Sequence, residues 1–392
     1  MCLKFHALEV GSGDAFLLEN LEKNEWRCLF DAGGAKKRIV DLLKEKGINK
    51  LNLAICSHND KDHANGFLGL LDKKSGIDID EIWLPGTWAP IIDFVKKYGI
   101  PACEIELYYD QYKESIRKRD ITPFNFYNNY DSKKIPKNLI EEYISCINKE
   151  FCTELNRENN RKNNLLSYER LWKYYCNRTC NLFSSVIPAS NYNVNQLLIS
   201  NNRIKEPHVN LNNILEIARL AYLKKCKIKW YEPATISTYN KPSNGFLALN
   251  SKEIVEIREI TDSKDFVFFL ALTMENIYSL VFEYYYDNIP IVRFSADSDC
   301  TCQSVDPYNN IIIVTAPHHG SEANANVYIM IKGKDIIWVR SDRIRSKRPC
   351  QEFKNMNDKY CLACLKHGFK KEICFEYYGK NWHNINGQTC LC

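Results

Sequence analysis

Six consecutive residues, His58-Asn59-Asp60-Lys61-Asp62-His63, carry four side chains able to ligate a divalent metal. Imidazole nitrogen combined with carboxylate oxygen suits zinc, manganese or iron. If the segment is a loop, Asp62 and His63 point apart, so that each faces a different ion. Two later stretches have the same character: Ser295-Ala296-Asp297 follows the apolar run IPIVRF, and Pro317-His318-His319-Gly320-Ser321 follows IIIVTA. One such cluster can arise on a surface by chance, and His318-His319 alone would be an ordinary exposed pair. Three of them at the ends of three strands would meet along one sheet edge and form a metal centre.

The elements that must position these residues read as α/β. Residues 3–10, 15–20 and 27–30 have strand character, with the turn-forming V-G-S-G-D and D-A-G-G between or after them. KKRIVDLLKEKG has helical apolar spacing and a terminal glycine, so a helix follows Gly34. Leu51 to Cys56 then delivers the chain to the His/Asp cluster, at the end of a strand, where α/β proteins place their sites. A helix from about Ala64 and the strand EIWLP complete this half.

From about 101 to 225 the composition shifts to Asn, Lys, Tyr and Glu. IPKNLIEEYISCINKEF and LNNILEIARLAYLKK read as helices joined through the polar connector NRENNRKNN, and His208 reads as a surface loop residue. Strands return at KIKWYEP, SLVFEYYY, IPIVRFSAD and IIIVTAP, with a turn at Asn244-Gly245. Asp265 to Leu272 is nearly continuously apolar and reads as a central strand packed on both faces.

The 392 residues suffice for two or three domains, or for one large domain with insertions. Hydrophobic residues at 45% and charged residues at 26%, with 16 Gly and 13 Pro, exclude collagen-like, mucin-like and wholly disordered chains. No apolar run approaches about 18 residues and the start lacks a basic-then-apolar leader, so a soluble, cytoplasmic protein is expected. Arg340 to Cys392 holds eleven Lys/Arg against five Asp/Glu, while the whole chain is only +5. Arg340, Arg343, Arg345, Lys347 and Arg348 could therefore meet phosphates, although a charge run is commonly just a solvated face.

Seventeen cysteines in a long chain expected to carry no leader read as mostly free thiols rather than as a disulfide framework. Cys350, Cys361, Cys364, Cys374, Cys390 and Cys392 crowd the end of the chain with His367 and His383. Thiolate and imidazole are zinc ligands, so a structural zinc in this tail is an open alternative to buried thiols.

The motifs VGSGDAFLLE, FDAGG, SHNDKDHANG, NIYSLVF, FSAD and PHHGS occur in the order of the metallo-β-lactamase superfamily. The chain most resembles the nuclease-like domain of the DNA-uptake competence protein ComEC, whose metal motif is also H-x-D-x-D-H. The resemblance covers residues 1–98 and about 227–345. It implies a four-layer αββα sandwich, split into halves at 1–100 and 227–345, with a mainly helical insertion at 101–226 and a basic, Cys-rich extension at 346–392. Carried over by motif, His58 and Asp60 would hold one ion, Asp62 and His63 would hold or frame the other, and Asp297 would bridge them. His318 or His319 would supply the last imidazole, Asp31 would brace the metal loop, and Ser321 would orient substrate. The superfamily's usual histidine before the S-L-V strand is missing, and Glu275 and Asn276 stand in its loop. An oxygen-richer site shifts the expected metals from zinc alone towards manganese, with magnesium a further candidate.

The resemblance implies a metal-dependent phosphodiesterase or nuclease acting on DNA or RNA, with Asp60 or Asp62 orienting the water and one of the paired histidines as general acid. Hydrolysis of a small substrate such as a cyclic nucleotide, and a non-catalytic binding protein stabilised by its metals, are the alternatives. Nucleic acid and a regulatory protein are the expected partners, and no membrane is expected.

Overall fold

The computed structural model describes residues 3–22, 25–118, 134–136, 205–234, 242–273, 276–300, 307–333, 335–345, 347–386 and 389–392. The chain is mixed α/β and divides into two compact units. The first comprises Met1–Pro85, Lys224–Glu253 and Asn276–Cys392, and the second Gly86–Leu223 and Ile254–Glu275. The second unit thus starts before residue 101 and takes a further piece from the half expected to be sheet.

The first unit opens with strands β1 (Leu3–Leu8), β2 (Phe16–Asn20), β3 (Trp26–Phe30), β4 (Lys50–Ile55) and β5 (Asp78–Pro85). In the second unit, β6 (Lys134–Pro136) pairs with β10 (Glu256–Arg258). The first unit continues with β7 (Lys227–Pro233), β8 (Phe246–Ala248), β9 (Ser251–Glu253), β11 (Phe282–Tyr286), β12 (Ile289–Phe294), β13 (Ile312–Thr315) and β14 (Ile336–Arg340). Near the C-terminus come β15 (Lys359–Cys361), β16 (Ala363–Cys364), β17 (Gly368–Phe369), β18 (Glu372–Tyr378) and β19 (Asn381–Asn384). One sheet has nine strands in the order β19-β18-β1-β2-β3-β4-β5-β7-β9, and another has six in the order β15-β14-β13-β12-β11-β8.

Strand periodicity explains why these two sheets share a core. Leu3, Phe5 and Ala7 of β1 are buried with Phe16, Phe30, Phe282 and Phe294, while Lys4 and His6 lie on the opposite face of β1. The rings of Phe30 and Phe294 are 4.6 Å apart and nearly parallel. Each such phenylalanine contributes about 2–3 kcal/mol of burial. The turn at Asn244-Gly245 forms as expected: both residues have positive φ, and Ser243 and Phe246 exchange backbone hydrogen bonds of 2.7 and 2.8 Å.

The residues expected as an extension beyond the sandwich contribute strands to both sheets. β18 pairs antiparallel with β1 along Leu3↔Tyr377 to Leu8↔Glu372, and β15 pairs parallel with β14.

Helix α1 (Arg38–Glu45) buries Ile39, Val40, Leu42 and Leu43, and α2 (Lys61–Leu70) follows β4. The second unit carries α3 (Trp88–Tyr98), α4 (Ala102–Arg117), α5 (Lys205–Leu223) and α6 (Ser263–Leu272). α6 corrects the expectation of a central strand at Asp265–Leu272. Asp262 caps it by accepting from Lys264 N at 2.6 Å, and every residue from Phe266 to Leu272 is buried. A helix buried on all sides has no polar stripe, so its apolar run is indistinguishable by period from a doubly covered strand. α5 likewise corrects the loop assigned to His208, because Pro207 sits in the first helical turn, where its missing N–H costs nothing. Of the other expected helix, Ile135 and Pro136 are in β6, and its remainder and the NRENNRKNN connector lie outside the described residues. No helix among the described residues is long and apolar enough to cross a membrane.

Candidate metal centre

All the elements that build the centre belong to the first unit. β4 ends at Ile55, His58 follows in the loop, and Asp60 stands at the N-cap of α2 with no capping hydrogen bond from its side chain. Asp62 and His63 are therefore in the first helical turn rather than in a loop. Successive helical residues diverge by about 100° instead of alternating between two faces. The two side chains do not serve opposite directions: Asp62 Oδ2 lies 3.5 Å from His319 Nε2, and His63 Nε2 lies 3.2 Å from the same atom.

Two carboxylate–imidazole pairs set this geometry. Asp31, at the end of β3, accepts from Ser57 N at 2.8 Å and from Ser57 Oγ at 2.7 Å, and its Oδ2 is 2.8 Å from His63 Nδ1. Asp14, in the turn between β1 and β2, has Oδ1 3.0 Å from His319 Nδ1. With Nδ1 donating in both pairs, each Nε2 faces the same point, carrying a proton when no metal is bound and a lone pair when a metal replaces it. Two buried ring nitrogens 3.2 Å apart cannot both stay bare, so protons or a metal cation must lie at this point. In the sequence Asp14 stands only as the last residue of the turn-forming V-G-S-G-D, without a sign of its partner. The Asp of G-S-G-D was visible, but its partner is 305 positions away.

Asp297, just after β12, is the hub. Its Oδ1 lies 3.0 Å from His63 Nε2 and 3.7 Å from His319 Nε2. Its Oδ2 faces the other group: His318 Nε2 at 3.5 Å, His58 Nε2 at 3.8 Å, and Asn276 Nδ2, which donates to it at 2.9 Å. His58 Nε2 is also 3.8 Å from Asp60 Oδ2 and is a buried atom with no hydrogen-bond partner among the described residues. Ser57 Oγ meets its Nδ1 at 2.9 Å. The donors thus form two sets that share one carboxylate, Asp14/His63/Asp297/His319 and His58/Asp60/Asp297, with Asp62 against the first. This donor chemistry fits divalent cations.

The chain matches no protein-family model, and no curated protein matches its sequence.

The electrostatics agree with a cation site. Burial works against charge on His63, yet Asp297 and Asp31 overcome it and hold its pKa well above the ordinary value. His319 is pushed up to about 10 against the same burial by Asp14, Asp297 and Asp62. Burial would raise Asp297 and Asp62, but the facing imidazoles hold both carboxyls below their ordinary range. The carboxylates demand positive charge, and divalent cations can supply it in place of protons. His318 differs: burial lowers its pKa, with Asp297 opposing and Arg348 and His319 reinforcing. Its Nδ1 meets Asn324 Oδ1 at 3.2 Å and its Nε2 meets Asn276 Nδ2 at 3.4 Å, the pattern of a neutral ring with Nε2 as acceptor. Asp31, Ala296, His318 and His319 all have positive φ, a concentration of backbone strain at the centre.

Ser321 Oγ accepts from Ala323 N at 3.4 Å and caps the short turn that follows. The proposed phosphate-binding residues separate. Arg340 is buried and donates to His319 O at 2.9 Å, Ala363 O at 2.6 Å and Arg343 O at 3.2 Å. Three carbonyls occupy its guanidinium, which corrects its reading as a phosphate ligand. Arg345 is bound to Asp342 at 2.8 Å and Arg348 lies 3.7 Å from the same carboxylate, whereas Arg343 and Lys347 are exposed. Arg343 lines a cleft of about 690 Å³ with Lys61, Asp62, Gly11, Ser12 and Gly34.

The expected zinc ligands separate too. Cys361, Cys364, His367, Cys390 and Cys392 come together. Cys374 lies with His6 and Glu372, His383 stacks on Tyr378 at 3.7 Å, and Cys350 heads the short helix Gln351–Lys354 with its N–H on Gly320 O. β18 and β19 carry Cys374 and His383 to positions in the nine-stranded sheet, which explains their separation from the others.

Proposed function

We propose that the first unit is a metallo-β-lactamase-like sandwich whose His/Asp centre holds two divalent cations and hydrolyses phosphodiesters, with DNA or RNA as the favoured substrate. The observation that carries this reading is the division of Asp297: one carboxylate oxygen faces His63 and His319, the other His58 and His318. His58, Asp60 and Oδ2 of Asp297 would hold one cation, and His63, His319, Asp62 and Oδ1 the other. The order of the motifs and the shared core of the two sheets support the fold assignment.

Divalent cations there would supply Lewis acidity, offsetting charge on phosphoryl oxygens and making water acidic enough to lose a proton near neutral pH. The chain's own residues do the rest. Asp14 and Asp31 fix the tautomers of His319 and His63 and hold both rings in place. His318, neutral and partly exposed, presents Nε2 as a proton acceptor beside Asp297. Lys61 and Arg343 in the adjoining cleft give a substrate phosphate two cationic contacts without base reading, as suits a nuclease of low sequence preference. The volume of that cleft also suits a small phosphodiester, which is the second reading.

The test is hydrolysis of labelled single- and double-stranded DNA, RNA and a small phosphodiester with Mn²⁺, Mg²⁺ or Zn²⁺, using Asp297→Asn as control. DNA or RNA cleavage that falls more than about 100-fold in the control, beyond the usual loss for residues that merely orient a ligand, supports the nuclease reading. Turnover of the small diester alone moves the substrate to the second reading. No turnover of any substrate by metal-loaded protein overturns the hydrolase.

A further inference from the structure

The sulfur and imidazole donors near the C-terminus form a second group, built from other elements than the His/Asp centre. Cys390 Sγ lies 3.5 Å from Cys364 Sγ and 3.4 Å from His367 Nε2. Cys361 Sγ and Cys392 Sγ are 3.9 Å apart, and both lie within 4.8 Å of Cys390 Sγ. A disulfide would need about 2.05 Å, so none of these pairs is bonded. Tetrahedral zinc, with Zn–S of about 2.3 Å and Zn–N of about 2.0–2.1 Å, separates its ligand sulfurs by about 3.8 Å and sulfur from nitrogen by about 3.6 Å. The separations of Cys390 from Cys364 and His367 come within a few tenths of an ångström of these values, and Cys361 and Cys392 adjoin that set through Cys390.

Local structure makes the gathering specific. β16 and β17 form a small hairpin, with Cys364↔Gly368 paired, that brings Cys364 and His367 to one end. Cys390 N donates to Lys359 O at 2.7 Å, which returns the end of the chain to β15. Cys361, Cys364 and Cys390 are all buried, so a metal held between them would be shielded from solvent.

We propose that Cys364, His367, Cys390 and one thiolate of the Cys361–Cys392 pair hold a structural zinc ion, distinct from the His/Asp centre. Its place in the fold gives it a consequence. Cys361 is the register partner of Arg340, Leu362 N donates to Arg340 O at 3.0 Å, and Arg340 joins Ala363 O to His319 O. The zinc staples the hairpin that anchors Arg340, and Arg340 holds the backbone of His319. Arg340 is thus a positioning residue for the candidate site.

The test reads metal rather than hydrolysis, so its outcome is independent of the phosphodiesterase reading. Full-length protein and a His63→Ala/Asp297→Asn variant are purified, and zinc is followed as a mercurial reagent titrates the thiols. One equivalent released by thiol modification from both proteins, and lost in Cys364→Ser/Cys390→Ser, is the expected result. Because that cysteine variant could fail to fold, cobalt is also exchanged into the His63→Ala/Asp297→Asn protein, where a thiolate-to-cobalt charge-transfer band is expected. Single Cys361→Ser and Cys392→Ser variants identify the fourth ligand by the larger loss of retained zinc. Absence of thiol-released zinc, absence of the cobalt band, or a Cys364–Cys390 disulfide in the native mass would overturn the proposal.

Discussion

At the scale of single residues, the centre depends on carboxylates that orient imidazoles. Asp14 and Asp31 play matching parts for His319 and His63, each about 3 Å from an Nδ1 atom. Changing Asp14 to Asn keeps the shape but removes the charge and allows the amide to donate, which favours the wrong tautomer of His319. Asp14→Asn is expected to cost about 10–100-fold in metal affinity or turnover while leaving the fold intact. Calorimetric metal titration beside a melting curve would check it, and an unchanged affinity would remove Asp14 from the site. The motif around His58 was legible because four ligand types crowd six positions. Asp14 was not, because a carboxylate in a glycine turn looks like turn chemistry until the fold brings His319 to it. The division of labour between His318 and His319 was equally hidden, since both have left-handed backbone conformations that no spacing rule anticipates.

At the scale of elements, α2 presents Asp62 and His63 to the candidate centre because it lies unusually close to the turn after β3. A Cβ on Gly66 would be 2.0 Å from Ala32 O, and Gly66 N donates to Gly33 O at 2.9 Å. Helix propensity alone predicts that Gly66→Ala stabilises α2 by about 1 kcal/mol. The clash with backbone has the opposite sign and is larger, so the expected result is a loss of about 2–3 kcal/mol. Metal affinity of the candidate centre should fall as well, because α2 and the Asp31 turn must separate and the Asp31–His63 contact lengthens. Denaturant melts of the variant decide between the two signs, and greater stability would mean that the helix can slide without cost. The strands of the first unit were largely legible, since alternation in β1 and the apolar runs of β4, β12 and β13 follow from their burial. α6 was misread for the converse reason: a fully buried element erases the polar face that reveals its period.

At the scale of the whole molecule, the first unit closes by pairing the two ends of its chain, and a buried charge cluster lies on that seam. His6 Nε2 is 3.0 Å from Glu19 Oε1 and its Nδ1 is 3.6 Å from Glu372 Oε2, while Arg27 and Lys46 pair with the two glutamates. A Cys-rich basic stretch carries no sequence sign that Glu372 lies beside His6, so the strand pairing of the last residues with β1 is not legible in the sequence. Burial opposes the charge on His6, but Cys374, Glu19 and Glu372 outweigh it and raise its pKa from 6.5 to about 10. Burial also opposes the charge on Glu19, yet His6 and Arg27 lower it from 4.5 to about 2; His6 leads the same shift in Glu372, against burial and with help from Lys46. A raised histidine contributes stability in full below its unfolded value of 6.5 and loses it as pH climbs towards 10. Lowered glutamates contribute above 4.5 and lose it as pH falls towards 2. The cluster therefore stabilises most between 4.5 and 6.5. Replacing His6 with Gln leaves two glutamates without their shared partner and should cost about 3 kcal/mol near pH 6. That deficit should shrink steadily as pH rises towards 10, where His6 of the unsubstituted protein also loses its proton. Melting temperatures of both proteins across this range should converge on the alkaline side, and parallel curves would show that His6 carries no charge in the folded state.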